Sequence, residues 1–110
     1  MSVSIYYSAT RKTPLTTVER GLLDELTNAL NQSFPYKNEA ETLNFYDEPS
    51  HGVILEGSTK LTLENEVILM ESIEYWLDAI SQLTLLLPST EWSVSIEDNP
   101  ASWIDNHWEM

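Results

Sequence analysis

The sequence contains no cysteine among its 110 residues. Disulfide bonds, thiolate metal sites and cysteine nucleophiles are therefore excluded, and the chain suits a reducing compartment without requiring one. It also lacks the basic segment and apolar stretch of a signal peptide, and no apolar run approaches the roughly 20 residues of a membrane span. We therefore expect one cytoplasmic domain over residues 1–110, large enough to fold around a single core.

Glycine is also scarce, with three residues in the chain. None of them belongs to a phosphate-binding loop, a dinucleotide-binding turn or a nucleophile elbow. His51 and His107 lie far apart, and neither has the spacing of a known metal-ligand motif. Carboxylates are so abundant that a pair suited to acid–base catalysis can be found by chance. We therefore predict no catalytic, cofactor or metal site, and keep a small ligand-binding or enzymatic domain as an alternative.

Positive charge is missing from the second half of the chain. The five lysines and arginines all lie at or before Lys60, whereas ten of the eighteen acids follow it, and the net charge is −13. Such a segment repels itself and is stabilised by an outside source of positive charge. Nucleic acid is disfavoured as a direct ligand, because its binding depends on lysine and arginine neutralising phosphates. The composition instead favours a basic protein surface as the partner.

Periodicity in the apolar residues predicts six elements of secondary structure. Thr16 and Glu19 have the spacing of a capping box, which places the start of a helix at Thr16. Gly57 and Ser58 permit a turn or a bulge after a short apolar run. The predicted elements, in chain order, are a strand over residues 3–8, a helix over 16–32, a strand over 43–46, a strand over 53–55, a helix over 64–85 and a strand over 92–96.

This β-α-β-β-α-β order predicts an α+β fold. Two amphipathic helices on one face of a mainly antiparallel sheet, a two-layer sandwich, bury the apolar faces most economically. A ferredoxin-like topology is our first choice and a rearranged α+β sheet the second, so the strand order stays open. Residues 97–110 then form a C-terminal acidic and aromatic tail packed on or beside the sheet.

Three carboxylates align on the second predicted helix. Glu71, Glu74 and Asp78 stand at positions i, i+3 and i+7, and no lysine or arginine lies on the same helix. Each like-charge neighbour costs about 0.2–0.5 kcal/mol of helix stability. The stripe is either a docking site for a cationic partner or only the solvated face of an amphipathic helix, and the sequence leaves both interpretations open.

Tryptophans and acids are mixed in the tail, and a second acidic and aromatic cluster begins at Tyr46. Tryptophan is enriched at binding hot spots, and neighbouring acids restrict which surfaces it accepts. The alternative is that Trp103 and Ile104 pin the tail to the sheet while Trp108 is half buried. The predicted partner-binding residues are Glu71, Glu74, Asp78, Asp98, Asp105 and Trp108, with Asp47 and Glu48 behind them.

The segment from Ile5 to Leu15 (IYYSATRKTPL), the compact size, the missing cysteines and the acidic tail resemble those of small immunity proteins from bacterial contact-dependent growth inhibition systems. The resemblance implies a cytoplasmic protein that binds one cognate toxin domain, often a nuclease, and covers its active site. A ribonuclease is the first choice of toxin. These immunity proteins are diverse in fold and sequence, so the resemblance transfers no residue roles.

Two hypotheses share these electrostatics. In the first, the acidic surface neutralises a basic toxin domain in a 1:1 heterodimer. In the second, the chain mimics DNA and inhibits a host nucleic-acid-binding protein, which predicts a double row of carboxylates that the sequence does not have. A third possibility, an acidic structural protein, predicts no specific partner, whereas both hypotheses predict binding that weakens strongly with salt.

Overall fold

Two helices and a mainly antiparallel sheet form an α+β two-layer fold, so the expected fold class is confirmed. The computed structural model describes residues 3–38, 40–46 and 52–110. The elements are β1 (Val3–Thr10), α1 (Thr17–Ser33), β2 (Leu55–Leu61), α2 (Glu66–Leu86), β3 (Glu91–Ile96), β4 (Asn99–Pro100), β5 (Ser102–Ile104) and β6 (His107–Glu109).

The main sheet has the order β2-β1-β3-β4, and each neighbouring pair is antiparallel. β1 lies inside the sheet because one of its faces is apolar, with Ile5, Tyr7 and Ala9 all buried. Beyond β2, an edge segment over residues 43–46 adds one antiparallel bridge between Phe45 and Gly57. The spatial order edge segment, β2, β1, β3 is the split βαβ arrangement of ferredoxin-like folds.

Side chains supplement the few backbone hydrogen bonds that hold this edge segment on the sheet. Asn31 of α1 accepts from the N–H of Leu43 at 3.0 Å and donates to the carbonyl of Leu43 at 3.2 Å. The Tyr7 hydroxyl accepts from the N–H of Asn44 at 2.8 Å and lies 2.8 Å from the Thr59 hydroxyl. The strand predicted over residues 43–46 is therefore an edge segment with a single bridge, which side-chain hydrogen bonds hold in place.

The position of β2 differs from the expectation. Val53 and Ile54 precede the strand, and Gly57 and Ser58, expected in a turn or bulge, lie in its middle. Close packing requires the glycine, because a Cβ atom on Gly57 would lie 2.2 Å from the carbonyl oxygen of Asn44. Gly57 therefore allows the edge segment to approach β2 closely, and β2 continues through this residue.

Both helices have side-chain caps at their N-termini. Thr16 accepts from the N–H of Glu19 at 3.1 Å, and Glu19 accepts from the N–H of Thr16 at 2.9 Å, which confirms the predicted capping box. Arg11 donates two hydrogen bonds to the same carboxylate, at 2.7 and 2.8 Å, and these hold the pKa of Glu19 at about 2. α2 begins after Asn65, whose side chain accepts from two N–H groups of the first turn.

The core lies between the helices and the sheet. Trp76 of α2 is fully buried, and its ring centroid lies 4.5 Å from that of Phe34. The periodicity that predicts α2 counts Val67 and Met70 among its apolar positions, but both are exposed, because the buried residues of this helix begin at Ser72. Neither of the two described helices has the length and apolar character needed to cross a membrane.

The C-terminal tail continues the sheet and then leaves it. β4 pairs with the end of β3, whereas β5 and β6 form a separate hairpin whose main contacts are with α2. Asp105 and Asn106 make the two-residue turn, with φ angles of 50° and 64°. Positive φ at both turn residues is the geometry that tight hairpins favour, and aspartate and asparagine tolerate it well.

Candidate docking surface

One exposed face of α2 carries the predicted acidic stripe. Glu71, Glu74 and Asp78 are all exposed, so the structure places these three predicted residues together on one surface. At 100° per residue the same face continues to Gln82 and Leu85, of which Leu85 is 55% exposed. The stripe therefore runs along most of the helix and ends at an apolar side chain.

The three carboxylates have different surroundings. Glu71 accepts a hydrogen bond from the Tyr36 hydroxyl, just beyond α1. Asp78 accepts from the Gln82 amide at 3.1 Å, and its carboxylate lies 3.6 Å from Nε2 of His107. Glu74, between them, has no hydrogen bond or ion pair within the described ranges. Its charge is the least compensated of the three, so it contributes most directly to the field of the stripe.

The acids after Lys60 remain almost uncompensated in three dimensions. Nine of the ten are exposed, and Glu97 is partly buried. Among the described side chains, Asp78 alone of these ten lies within 4.0 Å of a group that can carry positive charge, the imidazole of His107. A surface of this kind attracts cations and cationic proteins over distances up to about a Debye length, roughly 10 Å at 0.1 M salt.

A pocket of about 540 Å³ opens beside the end of the stripe. Its walls include three indoles, those of Trp92, Trp103 and Trp108, together with Leu85 and the exposed carboxylate-bearing residue Glu91. The Trp103 and Trp108 ring centroids lie 5.3 Å apart in an edge-on arrangement. The volume falls within the about 300–1,000 Å³ typical of ligand pockets. The acidic stripe and the aromatic pocket thus form one continuous surface.

The two tail tryptophans differ in exposure. Trp108, predicted as a partner-binding anchor, is 6% exposed, and its Nε1 donates to the Thr84 hydroxyl at 3.0 Å. Its backbone N–H donates to the Ser81 hydroxyl at 2.9 Å, so Trp108 fixes the hairpin to α2. Trp103, which pins the tail to the sheet in the alternative interpretation, is 38% exposed. Both side chains lie on the same face of the hairpin, and the buried one, Trp108, holds the hairpin against α2.

The predicted acids of the tail lie in tight turns. Asp98 follows Glu97 between β3 and β4, and Glu97 has a φ of 54°. The Glu97 carboxylate accepts from the N–H of Ser4 at 2.9 Å, which anchors that turn. Asp105 begins the turn between β5 and β6, near the pocket-lining Asn106. Asp98 and Asp105 are both exposed.

The predicted loop residues Asp47 and Glu48 lie outside the residues that the structure describes. His51, considered for a metal site, lies outside them as well. In the described parts of the chain, no three histidine or acidic side chains are placed to hold a metal ion. The predicted acidic loop therefore stays a prediction, and the surface described above stands on α2 and the hairpin.

The face of the sheet opposite the helices is a second open surface. It presents Tyr6 and Tyr46, which are 45% and 42% exposed, and serines from three strands. The Tyr46 hydroxyl donates to the Ser58 hydroxyl at 2.8 Å. The pocket on this face has a volume of about 120 Å³, below the range typical of ligand sites. Its few charges make it a weaker candidate than the acidic stripe.

Sequence reasoning missed two contributors to the surface, Leu85 and Trp92. Leu85 stands in a run of leucines that ends at Pro88, and it was not among the predicted partner-binding residues. Trp92 alternates with Val94, which correctly placed it on the core side of β3 but gave no sign of a cavity beside it. Counting the stripe onward by helical spacing from Asp78 would have reached Leu85. No sequence signal would have found the cavity.

The chain matches no known family model, no curated protein and no solved structure.

Proposed function

We propose that this protein binds and neutralises a basic toxin domain, as an immunity protein of a bacterial toxin system does. The observation that carries the proposal is the exposed face of α2, where Glu71, Glu74 and Asp78 form an acidic stripe that continues into an aromatic pocket. In this proposal the partner is a nuclease domain in the cytoplasm, a ribonuclease by preference. The acidic face covers its cationic active site in a 1:1 complex.

The physical chemistry of nucleases supports this assignment. A nuclease active site binds phosphates through lysine and arginine, so it offers the positive charge that the acidic half of this chain lacks. Complementary charge accelerates association, while buried aromatic contacts slow dissociation. The stripe supplies the complementary charge, and the pocket beside Leu85 supplies the aromatic contacts. Together they have the acidic and apolar parts that a tight inhibitor requires.

The DNA-mimic alternative has less support. A mimic of duplex DNA requires two rows of negative charge, whereas the described part of α2 presents one row, from Glu71 to Asp78. An aromatic pocket at the end of that row also has no counterpart in a phosphate backbone. The inhibitor proposal accounts for both features.

The test is retention of a partner from lysates of the source cells, followed by binding with purified components. A tagged protein should retain one basic domain at low salt in stoichiometric amount and release it at high salt. The variant Glu74→Lys with Asp78→Lys should weaken the purified complex at least about tenfold, equivalent to about 1.4 kcal/mol. It should also fail to inhibit the activity of the retained domain. Calorimetry and an activity assay give these two readings.

A matched control carries the same change of charge elsewhere. Asp24 and Glu25 are exposed on α1, so Asp24→Lys with Glu25→Lys alters the net charge by the same amount on the other helix. The control should keep most of the affinity if the stripe is the interface. Equal weakening by both double variants would show that only net charge matters. Unchanged affinity in the α2 variant removes this helix from the interface.

A further inference from the structure

The pocket beside the stripe combines indole walls with negative charge. Trp92 and Trp103 are partly exposed there, Trp108 is held in place by its bond to Thr84, and Glu91 stands at the wall. Aromatic faces attract cations within about 6 Å, and a nearby carboxylate strengthens the preference for positive charge. A cation is therefore the occupant best matched to these walls.

Continuity with the stripe indicates where the cation comes from. The exposed face of α2 passes from Glu74 through Asp78 and Gln82 to Leu85, which lines the pocket. A basic segment lying along the stripe therefore brings its next side chains to the pocket mouth. A free small cation can occupy the stripe or the pocket but does not join them, whereas a protein that lies along the stripe and inserts a side chain gains from both parts of the surface.

We infer that the pocket receives an arginine side chain of the partner protein. This inference rests on the proposed function, because the arginine belongs to the basic domain that the stripe attracts. Arginine suits the site better than lysine, since its planar guanidinium stacks on indole faces and is less strongly hydrated than an ammonium group. Its fork of N–H groups can also form a paired contact with a carboxylate, and Glu91 is the acidic residue that lines this pocket.

The cations on the far side of Glu91 leave this carboxylate accessible. Arg11 and Lys12 line a neighbouring pocket that also includes Glu91. The Arg11 guanidinium is engaged by Glu19 through two hydrogen bonds. Within 4.0 Å, neither cation forms an ion pair with Glu91 among the described contacts. The Glu91 carboxylate therefore has no cationic partner among the described residues, and it can pair with a cation of the bound protein.

The test uses the whole protein and two short peptides. The tripeptide Ac-Gly-Arg-Gly-NH₂ is titrated while the indole N–H resonances of the four tryptophans are followed by NMR. Ac-Gly-Cit-Gly-NH₂ is the control, since citrulline has the shape of arginine without its charge. Trp76 is fully buried in the core and serves as the internal reference. Saturable shifts at Trp92, Trp103 and Trp108, with Trp76 unmoved, are the expected result.

Two variants locate the interaction. Glu91→Gln should weaken arginine binding about three- to tenfold and leave the citrulline titration unchanged. Trp103→Leu, at a side chain that is 38% exposed, should weaken it about two- to fivefold. The remaining indole resonances report whether each variant keeps its fold. Equal binding of the two peptides, or shifts that never saturate, would contradict the inference.

Two further outcomes separate the pocket from the rest of the proposal. Indole shifts that depend on protein concentration without peptide would mean that a second copy of the chain fills the pocket, and the arginine inference would then be wrong. If the peptide does not bind but the purified partner still loses affinity on Glu74→Lys with Asp78→Lys, the pocket inference fails alone. The stripe variants lie outside the pocket, so the two failures are distinguishable.

Discussion

At the scale of single residues, the Tyr7 hydroxyl connects the sheet to its edge. It accepts from the N–H of Asn44 and contacts Thr59, whose hydroxyl donates to the carbonyl of Thr42 at 3.1 Å. Burial raises the pKa of Tyr7 to about 12, from 10.0 for an exposed tyrosine. A buried phenol with this network must therefore remain protonated for the edge segment to stay in place.

The raised pKa predicts a loss of stability in alkaline solution. The unfolded chain releases the Tyr7 proton near pH 10 and the folded chain near pH 12, so the free energy of unfolding falls as the pH rises between these values. At about 1.36 kcal/mol per pKa unit, the loss is on the order of 3 kcal/mol. Urea unfolding at several values from pH 9 upward measures the slope.

Tyr7→Phe should flatten that slope. At neutral pH it should cost about 1–3 kcal/mol, because the groups around the missing hydroxyl lose a partner. Tyr6→Phe, at an exposed position of the same strand, is the control and should keep the steep slope. Burial also raises the pKa of Tyr75, so a smaller alkaline loss remains in the Tyr7 variant. Identical slopes in all three proteins would exclude Tyr7 as the titrating group.

At the scale of elements, helix periodicity and strand alternation could be predicted from sequence, and so could a strand over residues 43–46, but not the contacts that hold this edge segment on the sheet. The capping box at Thr16 and the periodicity of α1 give the start of the helix correctly. The edge segment is held by Asn31 and Tyr7, which are distant in sequence, and no local pattern encodes such contacts. Gly57 is needed for the same reason, because the edge segment at Asn44 packs closely against it. Local propensity predicted a turn where tertiary packing requires a strand.

The hairpin of β5 and β6 has a local signal in the sequence. Asp105 and Asn106 tolerate positive φ, and they stand between Trp103-Ile104 and His107-Trp108, which is the pattern of a two-residue hairpin turn. The acidic stripe on α2, in contrast, was predicted correctly as a surface, because helical spacing alone fixes its alignment. The pocket required knowledge of how the hairpin and β3 meet.

Two glutamates of α2 should have opposite effects on stability. Glu74 lies between Glu71 and Asp78, so Glu74→Gln removes two like-charge neighbours and should raise the free energy of unfolding by about 0.4–1 kcal/mol. Glu66 lies in the first turn, where the helix dipole favours negative charge, so Glu66→Gln should lower it by about 0.3–1 kcal/mol. Denaturant unfolding of both variants at low salt gives the comparison.

These two variants also relate stability to function. If the stripe is a docking surface, Glu74→Gln should weaken partner binding while it stabilises the free protein, whereas Glu66→Gln should do neither. That result would mean that Glu74 lowers the stability of the helix and serves binding. If the Glu74 variant is stabilised and binds equally well, the stripe is only the solvated face of an amphipathic helix.

At the scale of the whole molecule, a net charge of −13 predicts opposite responses to salt for the free protein and the complex. Screening weakens repulsion among the exposed acids, so the free energy of unfolding should rise on the order of 1 kcal/mol between 10 and 300 mM NaCl. Over the same range the affinity for a basic partner should fall, because the attraction is screened as well. Thermal unfolding and calorimetry in the same buffers measure the two quantities.

Because stability and affinity should change in opposite directions, the experiment separates two explanations for dissociation in salt. A complex that dissociates in salt because its acidic component unfolds would show both quantities falling together, whereas an electrostatic interface shows stability rising as affinity falls. The ion pair of Arg11 and Glu19 is weakened by salt too, but a single bidentate pair cannot outweigh the repulsion among the acids after Lys60. If stability falls with salt, the acidic surface is not under repulsive strain, and the electrostatic argument for a cationic partner loses its basis.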